Sequence, residues 1–214
     1  IGFIGCGGRG TGAANQALTA NENAVIWAMG DAFEDRLTGS MNALVGEQGK
    51  RAEVPKERQF VGFDAYKKVI DSGVDMVILT TPPHFRPEHI AAAVRAKKHV
   101  FCEKPMAVDG TGVRSVMEST KLAKDNDTNL MSGFCWRYNY PLRATFEQIH
   151  NGAIGDVRSY FATYYAAPLW TKPRKENWSD MEWQMRNWVH FDWLSGDHIV
   201  EQACHSIDKI NWAM

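Results

Sequence analysis

The chain has 214 residues, of which 44% are hydrophobic and 23% are charged, and its formal net charge is −1. This balance is typical of a globular protein and argues against a nucleic-acid binder, which usually carries a basic excess. No apolar run approaches the roughly 20 residues of a membrane-spanning helix, so we expect neither nucleic acid nor membrane as a partner. The scattered cysteines predict free thiols, no metal site and, by default, a cytoplasmic location.

The two ends of the chain bear on the expected cytoplasmic location. The sequence begins in an apolar run at Ile1 without a Met, and it ends at Met214 within a helix-like pattern. We therefore expect a piece of a longer protein, and an export signal upstream of Ile1 stays an open alternative.

Short apolar runs alternate with helical patterns over residues 1–135. Strands are predicted at residues 1–5, 24–29, 59–61, 75–80, 99–102 and 129–134, and helices at 8–20, 33–45, 64–71, 87–96 and 110–124. Such alternation is typical of a parallel sheet covered on both faces. The sequence thus predicts an α/β, doubly wound parallel sheet of the Rossmann type as a domain over residues 1–138.

The pattern changes after residue 138, where we place the domain boundary. We predict a helix at residues 141–151, a strand of a different sheet at 157–165, an irregular stretch rich in tryptophan at 166–196, and a helix at 197–213. Residues 139–214 are interpreted as the beginning of a second domain.

A glycine-rich motif follows the first predicted strand. Gly5-Cys6-Gly7-Gly8-Arg9-Gly10 has the GxGxxG spacing, and Asp31 comes about 20 residues later, as in dinucleotide-binding sheets. Gly5 permits a tight turn, Gly7 lets the backbone approach a pyrophosphate, and Gly10 allows close helix packing. The helix N-terminus at Gly8 and Arg9 would stabilise phosphate charge.

Asp31 bears on which dinucleotide is bound. Its carboxylate would accept hydrogen bonds from the adenosine ribose and repel a 2′-phosphate, so NAD is favoured over NADP. Arg36 complicates this choice, although a solvated helix position is the more ordinary role for it. An ordinary glycine turn followed by a loop aspartate is the alternative interpretation.

Two further segments follow predicted strands, where ligands bind in doubly wound sheets. Thr81, Pro82 and His84 come after residues 75–80, and Glu103 and Lys104 come after residues 99–102. This position makes these five residues candidate cofactor contacts, although from the residues alone surface charge is the favoured interpretation of Glu103 and Lys104. A proline-rich turn and ordinary surface charge are the alternatives from the residues alone.

Motifs along the whole chain occur in an order that resembles the glucose–fructose oxidoreductase / inositol dehydrogenase (Gfo/Idh/MocA) family of NAD(P)-dependent oxidoreductases. They read GFIGCGGRGTG, MGD, DMVILTTPPHFRPEHI, HVFCEKPMAV, MSGFCWRYNY and GDHIVEQACHSID. The resemblance implies that residues 139–214 start an α+β domain for substrate binding and oligomerisation, with a large, mostly antiparallel sheet. It also implies a homodimer or homotetramer formed through that domain.

The resemblance also assigns roles to individual residues. It implies that Lys104 lies at the nicotinamide and the reacting hydroxyl, and that His205 is the acid/base group there. Glu201 and His205 are four residues apart, and Asp208 is three further on, so one helix face presents all three. A capped, satisfied helix face is the structural alternative. Glu201 stands where the family usually has aspartate, and this puts substrate identity in doubt.

Trp178, Trp183, Trp188 and Trp193 recur every five residues, which is neither a helical nor a strand period. Such rings can stack on sugars, although packing at an interface is the favoured interpretation for any one of them. Trp188 and Arg137 are nevertheless candidate substrate contacts.

The resemblance implies a hydride transfer between NAD and a secondary alcohol of a sugar, polyol or related compound. Two alternatives stay open within the same fold. One is an enzyme that cleaves glycosidic bonds through transient oxidation by bound NAD, and the other is a non-catalytic regulator that senses NAD or a sugar.

Overall fold

Six short strands form one parallel sheet in the computed structural model, which describes residues 1–214. The strands are β1 (Gly2–Ile4), β2 (Ala28–Asp31), β3 (Gln59–Val61), β4 (Met76–Leu79), β5 (His99–Cys102) and β6 (Leu130–Ser132). Their order is β3-β2-β1-β4-β5-β6, and all neighbours pair in parallel. The strand order reverses between β1 and β4, and ligands of doubly wound sheets bind at such a point. The predicted doubly wound sheet is therefore confirmed.

Five helices cover the two faces of this sheet. They are α1 (Gly8–Ala20), α2 (Glu34–Gln48), α3 (Ala65–Asp71), α4 (Arg86–Arg95) and α5 (Gly110–Asp125). Successive strand residues point to opposite faces. Phe3 and Ile78 accordingly pack with α1 and α2, whereas Ile4, Val77 and Leu79 pack with α3, α4 and α5. Burial on both faces explains why these strands read as continuous apolar runs.

The ends of the predicted elements shift by a few residues. The largest difference is in β2, which occupies Ala28–Asp31 rather than residues 24–29, because Gly2 of β1 pairs with Ala28. This register places Asp31 at the carboxyl end of the strand.

The chain divides into two compact units, residues 1–132 and 133–214. The division comes a few residues before the predicted boundary between 138 and 139. The second unit contains α6 (Tyr140–His150), α7 (Asp180–Arg186), α8 (Asp192–Ser195) and α9 (Cys204–Ala213). A π-helical turn, Ile199–Ala203, leads into α9 and interrupts the helix predicted over 197–213.

The strand predicted at residues 157–165 is wrong, because these residues have no regular secondary structure. A strand needs a partner, and residues 133–214 contain no strand at all. The segment instead contacts α9, where the Ser206 hydroxyl donates a hydrogen bond to the Thr163 carbonyl at 3.0 Å. The stretch predicted as irregular includes α7 and α8. A large antiparallel sheet in the second domain stays a prediction.

None of the helices combines the length and the apolar character that crossing a bilayer requires.

Candidate functional site

Two residues of the glycine loop, the motif Gly5–Gly10 that runs from the end of β1 into the first turn of α1, are required to be glycine by close backbone packing. Gly5 has φ +97°, and its N–H donates to the Gly30 carbonyl at 2.8 Å. A Cβ atom at Gly5 would lie 2.7 Å from the main chain of Thr80 and Thr81, and one at Gly10 would lie 1.8 Å from the Gly5 carbonyl oxygen. Only glycine fits at either position, so α1 starts directly against the end of β1.

The other two glycines border open space. A Cβ atom at Gly7 or Gly8 would meet no atom within 4 Å. Gly8 is the first residue of α1, and no acidic side chain lies in that first turn. The unpaired N–H groups and the positive end of the helix dipole make such a terminus an anion site. An open helix start of this kind, with glycine at positions 7 and 8, fits the pyrophosphate of a dinucleotide.

Asp31 joins the end of β2 to the glycine loop. Its Oδ2 accepts a hydrogen bond from the Cys6 N–H at 2.6 Å, and its Oδ1 accepts one from the Phe33 N–H at 2.9 Å. Burial raises the pKa of the Asp31 carboxyl, while the two amide hydrogen bonds and the charge of Arg36 oppose that rise. The structure thus holds a carboxylate beside the glycine loop, where an adenosine ribose would need an acceptor.

An ion pair links the glycine loop to the segment after β5. Arg9 donates to the Glu103 Oε1 from Nε at 2.7 Å and from Nη2 at 2.6 Å. The Glu103 side chain is buried, whereas that of Arg9 is half exposed. Because β4 lies between β1 and β5, this pair passes across the carboxyl end of β4.

The remaining predicted cofactor residues lie along the same edge of the sheet. The Thr81 hydroxyl is 3.2 Å from His89 Nδ1, and Pro82 comes just before the short 3₁₀ turn Pro83–Phe85. His84 packs edge-on against the neighbouring Phe85 ring, with centroids 5.1 Å apart. Lys104 follows Glu103, and its peptide bond to Pro105 is cis. The sheet therefore brings the predicted residues after β1, β2, β4 and β5 to one edge.

Two buried residues of α4, Arg86 and His89, were not predicted from the sequence. Arg86 hydrogen-bonds carbonyls of the segments after β4 and β5. His89 stacks on Tyr66 with ring centroids 4.1 Å apart. Burial lowers the pKa of His89 to about 4. The charge of Glu88 opposes this shift, and the charge of Arg86 adds to it. Their place in the first turns of a helix that follows a strand-end loop was the one feature that could have marked them.

In the second unit, Glu201 and His205 are both buried on the helix that contains the π-turn. Three rings surround the His205 imidazole. Phe134 and Trp136 meet it edge-on at centroid distances of 6.1 and 6.4 Å, and Tyr164 lies nearly parallel to it at 6.1 Å. This aromatic enclosure limits the orientations of the imidazole.

Arg137 and Asp208, both predicted as substrate contacts, bind each other. Arg137 Nε lies 2.9 and 3.0 Å from the two Asp208 carboxylate oxygens, and Nη2 lies 2.8 Å from Oδ1. The pair connects α9 to the turn Cys135–Tyr138. Trp188, another predicted substrate contact, packs edge-on against Trp170 with ring centroids 6.2 Å apart. The three side chains are held by contacts within the unit, and their roles as substrate contacts stay predictions. No group of three or more His, Cys, Asp or Glu side chains is placed to hold a metal ion.

Comparison with known proteins identifies relatives of both units. The model of an oxidoreductase family with an NAD-binding Rossmann fold, GFO_IDH_MocA, matches residues 1–134. The chain is 32% identical over 155 residues to the myo-inositol 2-dehydrogenase of Thermotoga maritima, which covers 72% of this chain and 42% of the relative. It is 30% identical over 157 residues to the inositol 2-dehydrogenase of Rhizobium meliloti, covering 73% and 42%.

A solved structure extends the likeness to the whole chain. The scyllo-inositol dehydrogenase of Lactobacillus casei, with bound NAD(H) and scyllo-inositol, matches with a TM-score of 0.71 at 22% identity. The match covers 100% of this chain and 55% of that chain, and at this identity it shows the fold alone. The chain spans less than half the length of the two curated relatives.

Proposed function

The chain belongs to the GFO_IDH_MocA oxidoreductase family, and from this membership we propose that the protein is an NAD-dependent oxidoreductase acting on a secondary alcohol of a sugar, polyol or related compound. One observation carries the proposal. The open helix start at Gly7 and Gly8 lies in the same loop whose Cys6 amide is bound by Asp31. The inositol dehydrogenases among the relatives support the substrate class.

We propose that the first unit holds the cofactor along the carboxyl edge of its sheet. The N-terminus of α1 would bind the pyrophosphate, and Asp31 would bind the adenosine ribose hydroxyls. Thr81, Pro82, His84, Glu103 and Lys104 would border the nicotinamide half. A half-buried carboxylate at Asp31 disfavours the 2′-phosphate of NADP, and the related fold with bound NAD(H) supports the same choice.

NAD, when bound, would supply the hydride acceptor for the reaction. Lys104 donates a hydrogen bond to the reacting oxygen and stabilises its developing negative charge. His205 accepts the proton of the hydroxyl, since an imidazole is suited to general-base work near neutral pH. Glu201 orients a neighbouring hydroxyl. Asp208, Arg137 and Trp188 would contact the substrate as well, and the ion pair between Arg137 and Asp208 would keep both side chains oriented.

The proposal is tested by measuring NADH formation over a panel of inositols, other polyols and sugars. Replacing Lys104→Ala should lower kcat on the best substrate by about 100-fold or more, the scale of a lost oxyanion donor. Lys121→Ala, at an exposed position of α5, is the matched control and should leave turnover unchanged. Unchanged turnover in the Lys104 variant would overturn the assignment.

His205→Asn tests the proton acceptor independently. The substitution should flatten the acidic limb of the pH–rate profile, and an unaltered profile removes His205 from that role. Substrate consumption without NADH release would favour the glycoside-cleaving alternative. Tight NAD binding with no turnover across the panel would favour the regulator.

Cofactor choice has its own test in Asp31→Asn, measured by calorimetric titration with NAD and NADP. The loss of a charged acceptor should weaken NAD binding by about 10- to 100-fold. It should also narrow the preference over NADP. An unchanged ratio of the two dissociation constants would contradict the role of Asp31.

A further inference from the structure

Arg86 binds three main-chain carbonyls that belong to two different loops. Its Nε donates to the Thr81 carbonyl at 2.8 Å, and its Nη1 donates to the Glu103 carbonyl at 3.0 Å and to the Pro105 carbonyl. Thr81 follows β4, and the other two carbonyls follow β5. One side chain therefore ties together two adjacent loops at the edge where the cofactor residues lie.

The burial of Arg86 shows that this arrangement is specific. The residue is only 4% exposed. A guanidinium stays charged in proteins, so burying it is costly unless its N–H groups are well satisfied. The fixed, planar fork of donors suits several acceptors at defined directions, whereas the compact ammonium of a lysine does not. The carbonyls that accept from Arg86 are thereby held in place as well.

Two of the three carbonyls belong to the residues on either side of Lys104. The main chain is held at Glu103 and again at Pro105, so the backbone that carries Lys104 is held on both sides. Glu103 is held a second time through its carboxylate, which accepts from Arg9. The direction in which the Lys104 side chain leaves the loop is therefore set by groups outside that loop.

We propose that Arg86 is the positioning residue for Lys104, and this rests on the proposed function of Lys104 at the reacting oxygen. Because Arg86 is buried and donates to main-chain carbonyls, its proposed role is to hold the backbone and not to contact substrate. It fixes the segment Glu103-Lys104-Pro105 against the loop after β4. Small displacements of a catalytic group lower rates steeply, with about 100-fold lost for a misplacement of about 1 Å. Removal of Arg86 should consequently affect the chemical step more than cofactor affinity.

The test compares Arg86→Ala with the wild-type protein in steady-state kinetics and in calorimetric NAD titration. We expect kcat to fall by about 100-fold and the dissociation constant for NAD to rise by a smaller factor, since the loops that Arg86 holds also carry Thr81 and Glu103. Adding millimolar methylguanidine, which can occupy the vacated space, should restore part of kcat. Should Arg86→Ala fail to fold, Arg86→Lys carries the same comparison, because its ammonium cannot take up the same fork of carbonyls.

A second readout needs no cofactor. The rate of amine-specific acylation at Lys104, followed by peptide mass spectrometry, should change in the Arg86 variants and return toward the wild-type rate with methylguanidine. Arg51→Ala is the matched control, because Arg51 also binds carbonyls, those of Leu18 and Asn21 at the far end of α1. This control should lower stability without altering kcat per folded molecule or the acylation rate at Lys104.

The outcomes separate the two proposals. If Lys104→Ala abolishes turnover but the Arg86 variants keep wild-type kcat and wild-type acylation at Lys104, the positioning role is overturned and the proposed function stands. If kcat falls in the Arg86 variants and methylguanidine restores it selectively, the positioning role is supported. If Lys104→Ala retains turnover, the proposed function fails, and the acylation rate still decides whether Arg86 positions Lys104.

Discussion

The two units of the chain bury different kinds of side chain. In residues 1–132 the buried residues are overwhelmingly apolar, and they form one cluster on each face of the sheet. In residues 133–214 the buried apolar residues are Phe146, Met185 and Leu194. The buried polar residues of that unit are more numerous, namely Arg186, Asn187, Ser195, Glu201, His205 and Ser206.

The two units are therefore stabilised by different kinds of interaction. Apolar burial is non-directional, so the first unit gains most of its stability from area removed from water. Hydrogen bonds are directional, and a buried polar group left without its partner is costly. Asn187 illustrates the second case, because its side-chain amide accepts from the Lys172 N–H at 2.7 Å and donates to the Lys172 carbonyl at 3.2 Å. The second unit therefore depends on individual polar contacts.

The largest expected effect concerns the first unit, where close packing should tolerate no added atom. Gly10→Ala would place its Cβ 1.8 Å from the Gly5 carbonyl oxygen. We expect a loss of more than about 4 kcal/mol in the free energy of unfolding, or no folded protein. Urea unfolding measures this. Gly12→Ala is the control in the same helix, where no atom lies within 4 Å, and it should gain about 0.5–1 kcal/mol. A Gly10→Ala protein as stable as the wild type would contradict the close packing described for the first unit.

The next effect is a pH dependence inside the same unit. The folded state lowers the pKa of His89 to about 4, so the unfolded chain binds the proton more readily. The stability that comes from keeping His89 neutral is present above pH 6.5 and is lost as the pH falls toward 4. The shift corresponds to about 3 kcal/mol at most. The free energy of unfolding, measured with urea between about pH 4 and 7, should depend less steeply on pH in His89→Gln than in the wild type. An equal dependence on pH in the two proteins would contradict this origin.

A smaller effect is expected in the second unit. Asn187→Ala leaves the Lys172 main chain without its partner and should cost about 1–3 kcal/mol. Hydrogen exchange should rise around residues 170–190 and stay unchanged in the sheet of residues 1–132. Asn151→Ala, at an exposed position after α6, is the control and should alter neither region. Increased exchange in the sheet would show that the two units do not differ in the way described.

The sequence predicted the first unit well because its order follows from periodic patterns. The apolar run at Met76–Leu79 could only be a buried strand, and the GxGxxG spacing placed the start of α1 at Gly8. The second unit was predicted less well. The aromatic alternation at residues 157–165 indicates a strand, but it carries no information about a partner strand.

The residues of the candidate site also differ in whether the sequence could predict them. Asp31 and the four glycines could be identified because their roles depend on local spacing. Arg86 could not, because its partners lie 5, 17 and 19 residues away and are main-chain carbonyls of any residue type. The mutual pairing of Arg137 and Asp208 was missed for a similar reason, since the two are 71 residues apart.

The π-turn Ile199–Ala203 changes the meaning of the residue numbers around it. Such a turn closes its hydrogen bonds over five residues rather than four, so it is equivalent to one residue inserted into an α-helix. Everything after Ala203 is rotated by about 100° relative to an uninterrupted helix. Closing this turn into a regular α-helix with all its residues retained would rotate His205 away from its aromatic neighbours, whereas deleting Gln202 would restore the regular helix and leave His205 in place. The orientation of the His205 imidazole therefore depends on the one extra residue that the π-turn accommodates. An alignment by residue type alone would not reveal this dependence.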